Sequence, residues 1–295
     1  MKQLVFIHGR AQEHKDIDAL KTEWIDAWCA GLAKSGLAIP IAEADIRFPY
    51  YGNTLYDLAQ GKTLAEVASI IVKGADERDL EQREFIREVL LEVQEQRGIT
   101  DAEVSKVLGS DTLDKGVLNW GWIQGILEVI DRHVPLASGI SIALATRDVY
   151  QYIDNIAIRD EIETGVRKAL MPGLPTVVVS HSLGTVVAYN LLRREGVAQG
   201  WTVPLFMTLG SPLAVSALRK KLSPNRHPPC VGWWFNAFDE HDVVALFPLD
   251  AKNFPVEPEI TNKRDIYNPT TNRHGISGYL SDPVVAKTIY EALMN

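Results

Sequence analysis

The sequence predicts an α/β protein: a mostly parallel central sheet flanked by helices, interrupted by one long helical block. Three observations predict it. Short buried-strand patterns alternate with helical ones, both in residues 1–52 and again in residues 170–295. Such alternation leads to parallel pairing, because parallel neighbours need a crossover long enough to hold a helix. Between those stretches, residues 53–169 carry helical periodicity and almost no strand signal. Finally, the chain has 295 residues, 46% of them apolar. A chain of that length buries about three quarters of the surface it exposes when unfolded. The domain reading is therefore a core made of 1–52 and 170–295, with 53–169 as a helical cap or insertion.

Taken in order, the first strand is the apolar run Leu4-Val5-Phe6-Ile7, which stops at His8-Gly9. Residues 16–34 read as a helix, with Leu20, Trp24, Ala27 and Trp28 on one face. Gly36 and Pro40 punctuate, and residues 41–48 hold a second strand before Pro49-Tyr50-Tyr51-Gly52. Inside the inserted block, Ile86, Val89, Leu90 and Val93 form a stripe on a charged helix that stops at Arg97-Gly98. Residues 120–133 and 142–170 give two more helical readings, and the acidic excess over 76–103 reads as a solvated face. Trp120, Trp122, Ile123, Ile126 and Leu127 cluster at near-helical spacing, which fits packing onto the core, a pocket lining or a subunit interface. After Pro172-Gly173 and Pro175, strands are expected at 176–179, 203–209, 231–238 and 265–267, with helices at 182–194 and 282–294.

Composition excludes several classes. Lys and Arg number 30 against 38 Asp and Glu, a net charge of −8 with no basic stripe, which disfavours a nucleic-acid partner. The two cysteines, Cys29 and Cys230, lack metal-site spacing and read as buried free thiols of a reducing compartment. The apolar run near the start is too short for a signal peptide, and no stretch approaches the length of a membrane span. Asn268-Pro269-Thr270 is barred from glycosylation by its proline. The expectation is a cytoplasmic protein. Gly61-Lys62-Thr63 lacks the glycine at position 56 that a phosphate-binding loop needs, and no dinucleotide, zinc-protease or paired-cysteine motif is present. No cofactor and no metal are implied.

The strongest chemical signal is Val177-Val178-Val179-Ser180-His181-Ser182-Leu183-Gly184, an apolar strand running into a turn, with an apolar helix leaving it. A sharp strand-to-helix turn presents a serine hydroxyl at the sheet edge, and small residues two before and two after it let strand and helix approach closely. This resembles the nucleophile elbow of the α/β-hydrolase family, G-x-S-x-G, with Ser180 in place of the first glycine. The resemblance covers residues 1–52 and about 170–295 and is greatest to the lipase and esterase branch. It implies an α/β-hydrolase fold and Ser182 as a nucleophile; the plain alternative is a helix N-cap.

A serine needs a base, and the base an orienting carboxylate, in the family order Ser, acid, His. Of the histidines after Ser182, His227 lies among prolines and His241 beside two aspartates. His274 follows the last strand and precedes the terminal helix, the family's place for the base. The acid is Asp242, which stands in the Asp-x-Val pattern of lipase-like relatives, or alternatively Asp239. His8-Gly9-Arg10 resembles the family's oxyanion loop. That implies backbone N–H groups of Arg10 and Leu183 as oxyanion donors, Gly9 as a point of close approach and His8 as a structural hydrogen bonder. Gly210-Ser211-Pro212-Leu213 resembles the next strand end and is read as support. The implied activity is cleavage of a carboxylic ester, with an acyl or lipid-like substrate. A thioesterase, amidase or acyltransferase would use the same residues, and a catalytically silent binding protein would share the fold. Oligomeric state is not legible.

Overall fold

Strand β1 (Gln3–Ile7) is buried along its whole length, and its side chains divide by turns between two apolar layers. Val5 and Ile7 join one layer, Leu4 and Phe6 the other, as the two-residue period of a strand requires. The structure is a computed structural model that describes residues 2–9, 16–51, 77–109, 120–133, 139–270 and 272–295. Strands β2 (Ile46–Arg47), β3 (Thr176–His181), β4 (Val203–Leu209), β5 (Val231–Ala237) and β6 (Thr261–Lys263) complete a six-stranded sheet in the order β2-β1-β3-β4-β5-β6. Among the described residues, the strands of this sheet all pair in parallel, so the protein is of the α/β class.

One face is covered by α1 (Ile17–Ala33). Close to the chain's end, α9 (Ile276–Leu280) and α10 (Pro283–Met294) join it. Asp16 starts α1 by accepting the Ala19 N–H at 2.8 Å, an N-cap that answers one orphan donor of the first turn. Trp24, Trp28 and Tyr279 pack here against Phe6 and Val179 without exposed surface. The other face carries α7 (Leu183–Glu195), α8 (Ser216–Lys221) and the described helices between β2 and β3. These are α2 (Glu77–Gln96), α3 (Asp101–Leu108), α4 (Trp120–His133), α5 (Gly139–Asp154) and α6 (Ile156–Ala169).

Trp122, Ile123, Ile126 and Leu127 are fully buried in the layer that also holds Val5 and Val178, so packing onto the core accounts for them. The Trp120 side chain and the Gly61-Lys62-Thr63 segment lie outside the described residues. Among the described residues, no helix is long and apolar enough to cross a membrane.

Four expectations need correction. Of residues 41–48 only Ile46–Arg47 form a strand, after a short helical turn at Glu43–Asp45. The single helical reading over 142–170 is two helices. Asn155 takes an extended conformation between them, and its side chain accepts the N–H groups of Ala157 and Ile158 to start α6. The last strand is Thr261–Lys263, not 265–267. Asp265 contributes only an isolated antiparallel bridge to Asp239, while the polar β6 is placed by pairing with β5. Both cysteines are free, but Cys29 is exposed and Cys230 only partly buried.

The connectivity prepares a site. From β1 the chain passes to β2 on one side, and β3 then takes the other side of β1. Where neighbouring strands diverge like this, a crevice opens beyond their carboxyl ends, the usual place for ligands in open α/β sheets. His8 and Gly9 end β1 there, and Ser182 ends β3.

Candidate active site

Ser182 sits between β3 and α7 at φ 55° and ψ −128°. A positive φ on a non-glycine residue costs about 1–3 kcal/mol and persists only where its surroundings hold it. They do so here. The Ser182 N–H donates to Leu209 O at 3.1 Å, and its carbonyl accepts the Thr185 N–H at 2.9 Å and hydroxyl at 2.7 Å. Packing closes around the turn. A Cβ on Gly184 would lie 2.4 Å from the carbonyl oxygens of Ile7 and His8, and one on Gly9 would lie 2.7 Å from Ser182 Cβ. Ser180, in the place of a glycine, donates its hydroxyl to Met207 O at 2.9 Å and is fully buried. The Ser182 side chain makes no cap bond to the helix it precedes.

Instead Ser182 Oγ lies 2.8 Å from His274 Nε2, and His274 Nδ1 lies 2.6 Å from Asp242 Oδ2. An ionised carboxylate only accepts, so Nδ1 carries the proton and Nε2 receives the Ser182 hydroxyl. Asp242 is fully buried. Burial alone would raise its pKa, but the charge and hydrogen bond of His274 outweigh it, with further hydrogen bonds from Tyr279 and Val244, and the carboxyl falls below its usual range. Its Oδ1 accepts the Val244 and Ala245 N–H groups at 2.8 and 3.4 Å. Its Oδ2 also accepts the Tyr279 hydroxyl at 2.6 Å. Burial, then the nearby Asp242 charge, drives the Tyr279 pKa far above the usual phenol range, so this hydroxyl remains a donor.

Asp239 has a different task. Its Oδ1 accepts the His241 N–H at 2.8 Å and its Oδ2 the Asn268 N–H at 2.9 Å. Buried Asn268 in turn donates to Gly275 O and accepts from the Thr270 N–H and hydroxyl. Asp239 therefore braces the loop that carries His274 and leaves the imidazole to Asp242. Arg97, just past α2, donates to Glu240 O at 2.9 Å and Asp242 O at 2.8 Å, tying the helical stretch to the acid-bearing loop.

Two more histidines flank the site and both are held neutral. His8 Nδ1–H donates to Gly9 O at 2.7 Å and Nε2 accepts the Tyr51 N–H at 3.1 Å. Burial lowers its pKa to about 4. His181 Nε2–H donates to His274 O at 2.7 Å, and its ring lies 4.6 Å from that of His274. Burial, then the proximity of His274, lowers its pKa to about 3.

A mostly apolar pocket opens on Ser182. Phe85 and Val89 of α2 and Ile142, Thr146 and Val149 of α5 form one wall. Leu183, Leu218, Val243 and Leu246 contribute to the other. The Thr146 hydroxyl donates to Ile142 O at 2.8 Å, so its proton is used inside the helix. Ser182 thus lies among mostly apolar lining residues. Among the described residues, no group of His, Cys, Asp or Glu is arranged to hold a metal ion.

The structure brings Ser182, His274 and Asp242 into one hydrogen-bonded line and sets Asp239 behind it. His227 lies elsewhere, its ring packed near Trp234. Leu183 opens α7, so its own N–H has no intrahelical acceptor; Arg10 lies outside the described residues. Sequence reasoning read Arg97 only as part of a helix stop and Asn268 only as part of a barred glycosylation sequon, and it gave Tyr279 no role. No family model, curated protein or solved structure matches the chain.

Proposed function

We propose that this protein is a serine hydrolase with an α/β-hydrolase fold of the lipase and esterase kind, cleaving a carboxylic ester with an apolar acyl group. The observation that carries the reading is the line from Ser182 Oγ through His274 to the buried Asp242, with steps of 2.8 and 2.6 Å. A serine hydroxyl becomes a useful nucleophile when a neutral imidazole accepts its proton and a carboxylate holds that imidazole.

Ser182 Oγ attacks the ester carbonyl while His274 Nε2 takes its proton. The Leu183 N–H, at the positive end of α7, receives the developing oxyanion. Collapse expels the alcohol, which leaves with the proton from His274, and an acyl-Ser182 remains. His274 then takes a proton from water, the hydroxide attacks the acyl carbonyl, and the carboxylic acid leaves as Ser182 regains its proton. The pocket supports the acyl preference, because an apolar wall rewards chain burial by about 0.8 kcal/mol per methylene. The helices α2 and α5 act as part of a cap over the serine.

The test is covalent labelling with a fluorophosphonate probe and peptide mapping, followed by hydrolysis of p-nitrophenyl esters of graded acyl length. The expected result is an adduct on Ser182 and turnover that rises with chain length until the pocket is full. Ser182→Ala should abolish labelling and lower turnover by about three orders of magnitude or more. A folded protein whose Ser182 takes no label would instead be a binding protein.

A further inference from the structure

We infer that Tyr279 is a positioning residue of the same relay, its hydroxyl setting how firmly His274 holds a proton by sharing Asp242 Oδ2 with it. The inference rests on the reading of Ser182 as a hydrolase nucleophile. The two oxygens of Asp242 do separate work. Oδ1 is turned to the backbone N–H groups of Val244 and Ala245, which anchor the carboxylate. Oδ2 faces the chemistry, and two donors meet on it: His274 Nδ1–H at 2.6 Å and the Tyr279 hydroxyl at 2.6 Å.

Every hydrogen bond donated to a carboxylate oxygen withdraws charge from it, and what Tyr279 withdraws is not offered to His274. With the hydroxyl in place, the imidazolium formed during attack is stabilised less and gives its proton more readily to the leaving alcohol. Without it, Oδ2 concentrates on His274, and the base stays protonated to higher pH.

The geometry makes this donor dependable. Tyr279 is fully buried on α9. Its oxygen accepts the Asp239 N–H at 3.3 Å, which turns the hydroxyl proton toward Asp242. The His274 backbone is gripped separately by the His181 Nε2–H, so loss of one phenolic oxygen changes the charge on Oδ2 more than it changes the place of the ring. Tyr279 touches no reacting atom and passes no proton.

The experiment measures the pH dependence of fluorophosphonate inactivation at Ser182 in the unaltered protein and in Tyr279→Phe. Phenylalanine keeps the buried ring and removes only the oxygen. The expected result is an acid limb moved upward by about half to one pH unit, with the plateau rate changed less than about tenfold. A uniform fall with the limb unmoved would mean that the hydroxyl only supports the loop, and overturns the inference. Replacement of Tyr279 by 3,5-difluorotyrosine, a stronger donor of similar shape, should move the limb downward, and it carries the test if the phenylalanine variant does not fold. Absence of labelling in the unaltered protein overturns the hydrolase reading, and this inference with it. Labelling with an unmoved limb in both variants overturns this inference alone.

Discussion

The two sides of His274 are built by different means. On one side, the turn that carries Ser182 is held by backbone: a strained φ, paired peptide groups, and glycines at Gly9 and Gly184 where no Cβ fits. On the other side, His274 and Asp242 are held largely by side chains, with Arg97, Asn268 and Tyr279 as donors and the Thr270 hydroxyl accepting the Gly275 N–H. The difference teaches where each side should fail. Steric crowding of the turn attacks the fold itself, whereas removal of one donor on the other side should leave a folded protein with altered chemistry.

The largest expected effect tests the side-chain half. Asp242→Asn should lower kcat by about four orders of magnitude, because an amide favours the wrong imidazole tautomer. Asp239→Asn, which keeps an oxygen for the Asn268 N–H, should lose far less. Equal losses measured with a p-nitrophenyl ester would erase the division of labour between the two carboxylates. Next, Gly184→Ala tests the backbone half. Its Cβ would press on carbonyls of β1, and overpacking of this kind costs about 1–3 kcal/mol. Chemical denaturation should show that loss together with reduced labelling of Ser182.

Acid provides a third probe, directed at the turn. His8 and His181 are kept neutral in the fold, with pKa values lowered from 6.5 to about 4 and about 3. Unfolding frees both to take up protons. Stability is therefore intact above pH 6.5 and falls as pH drops toward 4, each histidine contributing about 1.4 kcal/mol per pH unit inside that window. Thermal melts across the window should show this slope, and His8→Asn should flatten it. A slope unchanged in the variant would remove His8 from the account. The smallest effect concerns Arg97. Arg97→Met should lower kcat/KM by several-fold while Ser182 still accepts the probe, and a loss as large as that of Asp242→Asn would make the clamp as central as the acid.

The same contrast explains what could be read from the sequence. The turn is local: three valines, three polar residues and an apolar helix follow one another, so strand, bend and helix are visible within thirteen residues of continuous chain (177–189). The meeting of Ser182 with His274 was reached through chain order and a family likeness, and Asp242 in the same way. The supporting groups had no such handle. Tyr279 reaches Asp242 across a gap of 37 residues and Arg97 across a gap of 145. A spacing rule cannot express either. Strand β6 hides for another reason: Thr261-Asn262-Lys263 has no apolar residue, and its extended form is imposed by pairing at the sheet edge. The break at Asn155 is a capping signal, overridden in the sequence reading by apolar residues that continue on both sides of it.

The wall of the pocket has a consequence for how such a molecule could change over generations. Phe85, Val89, Ile142, Thr146 and Val149 all lie on α2 and α5, in a stretch of chain that contains none of Ser182, Asp242 or His274. On the proposed hydrolase reading, that stretch can be rewritten toward a new substrate while Ser182, Asp242 and His274 stay unchanged. One thread limits the freedom: Arg97 stands at the end of α2 with its grip on the Asp242 backbone. A helical segment transplanted from another lineage would have to bring an equivalent of that arginine, or arrive with its chemistry untuned.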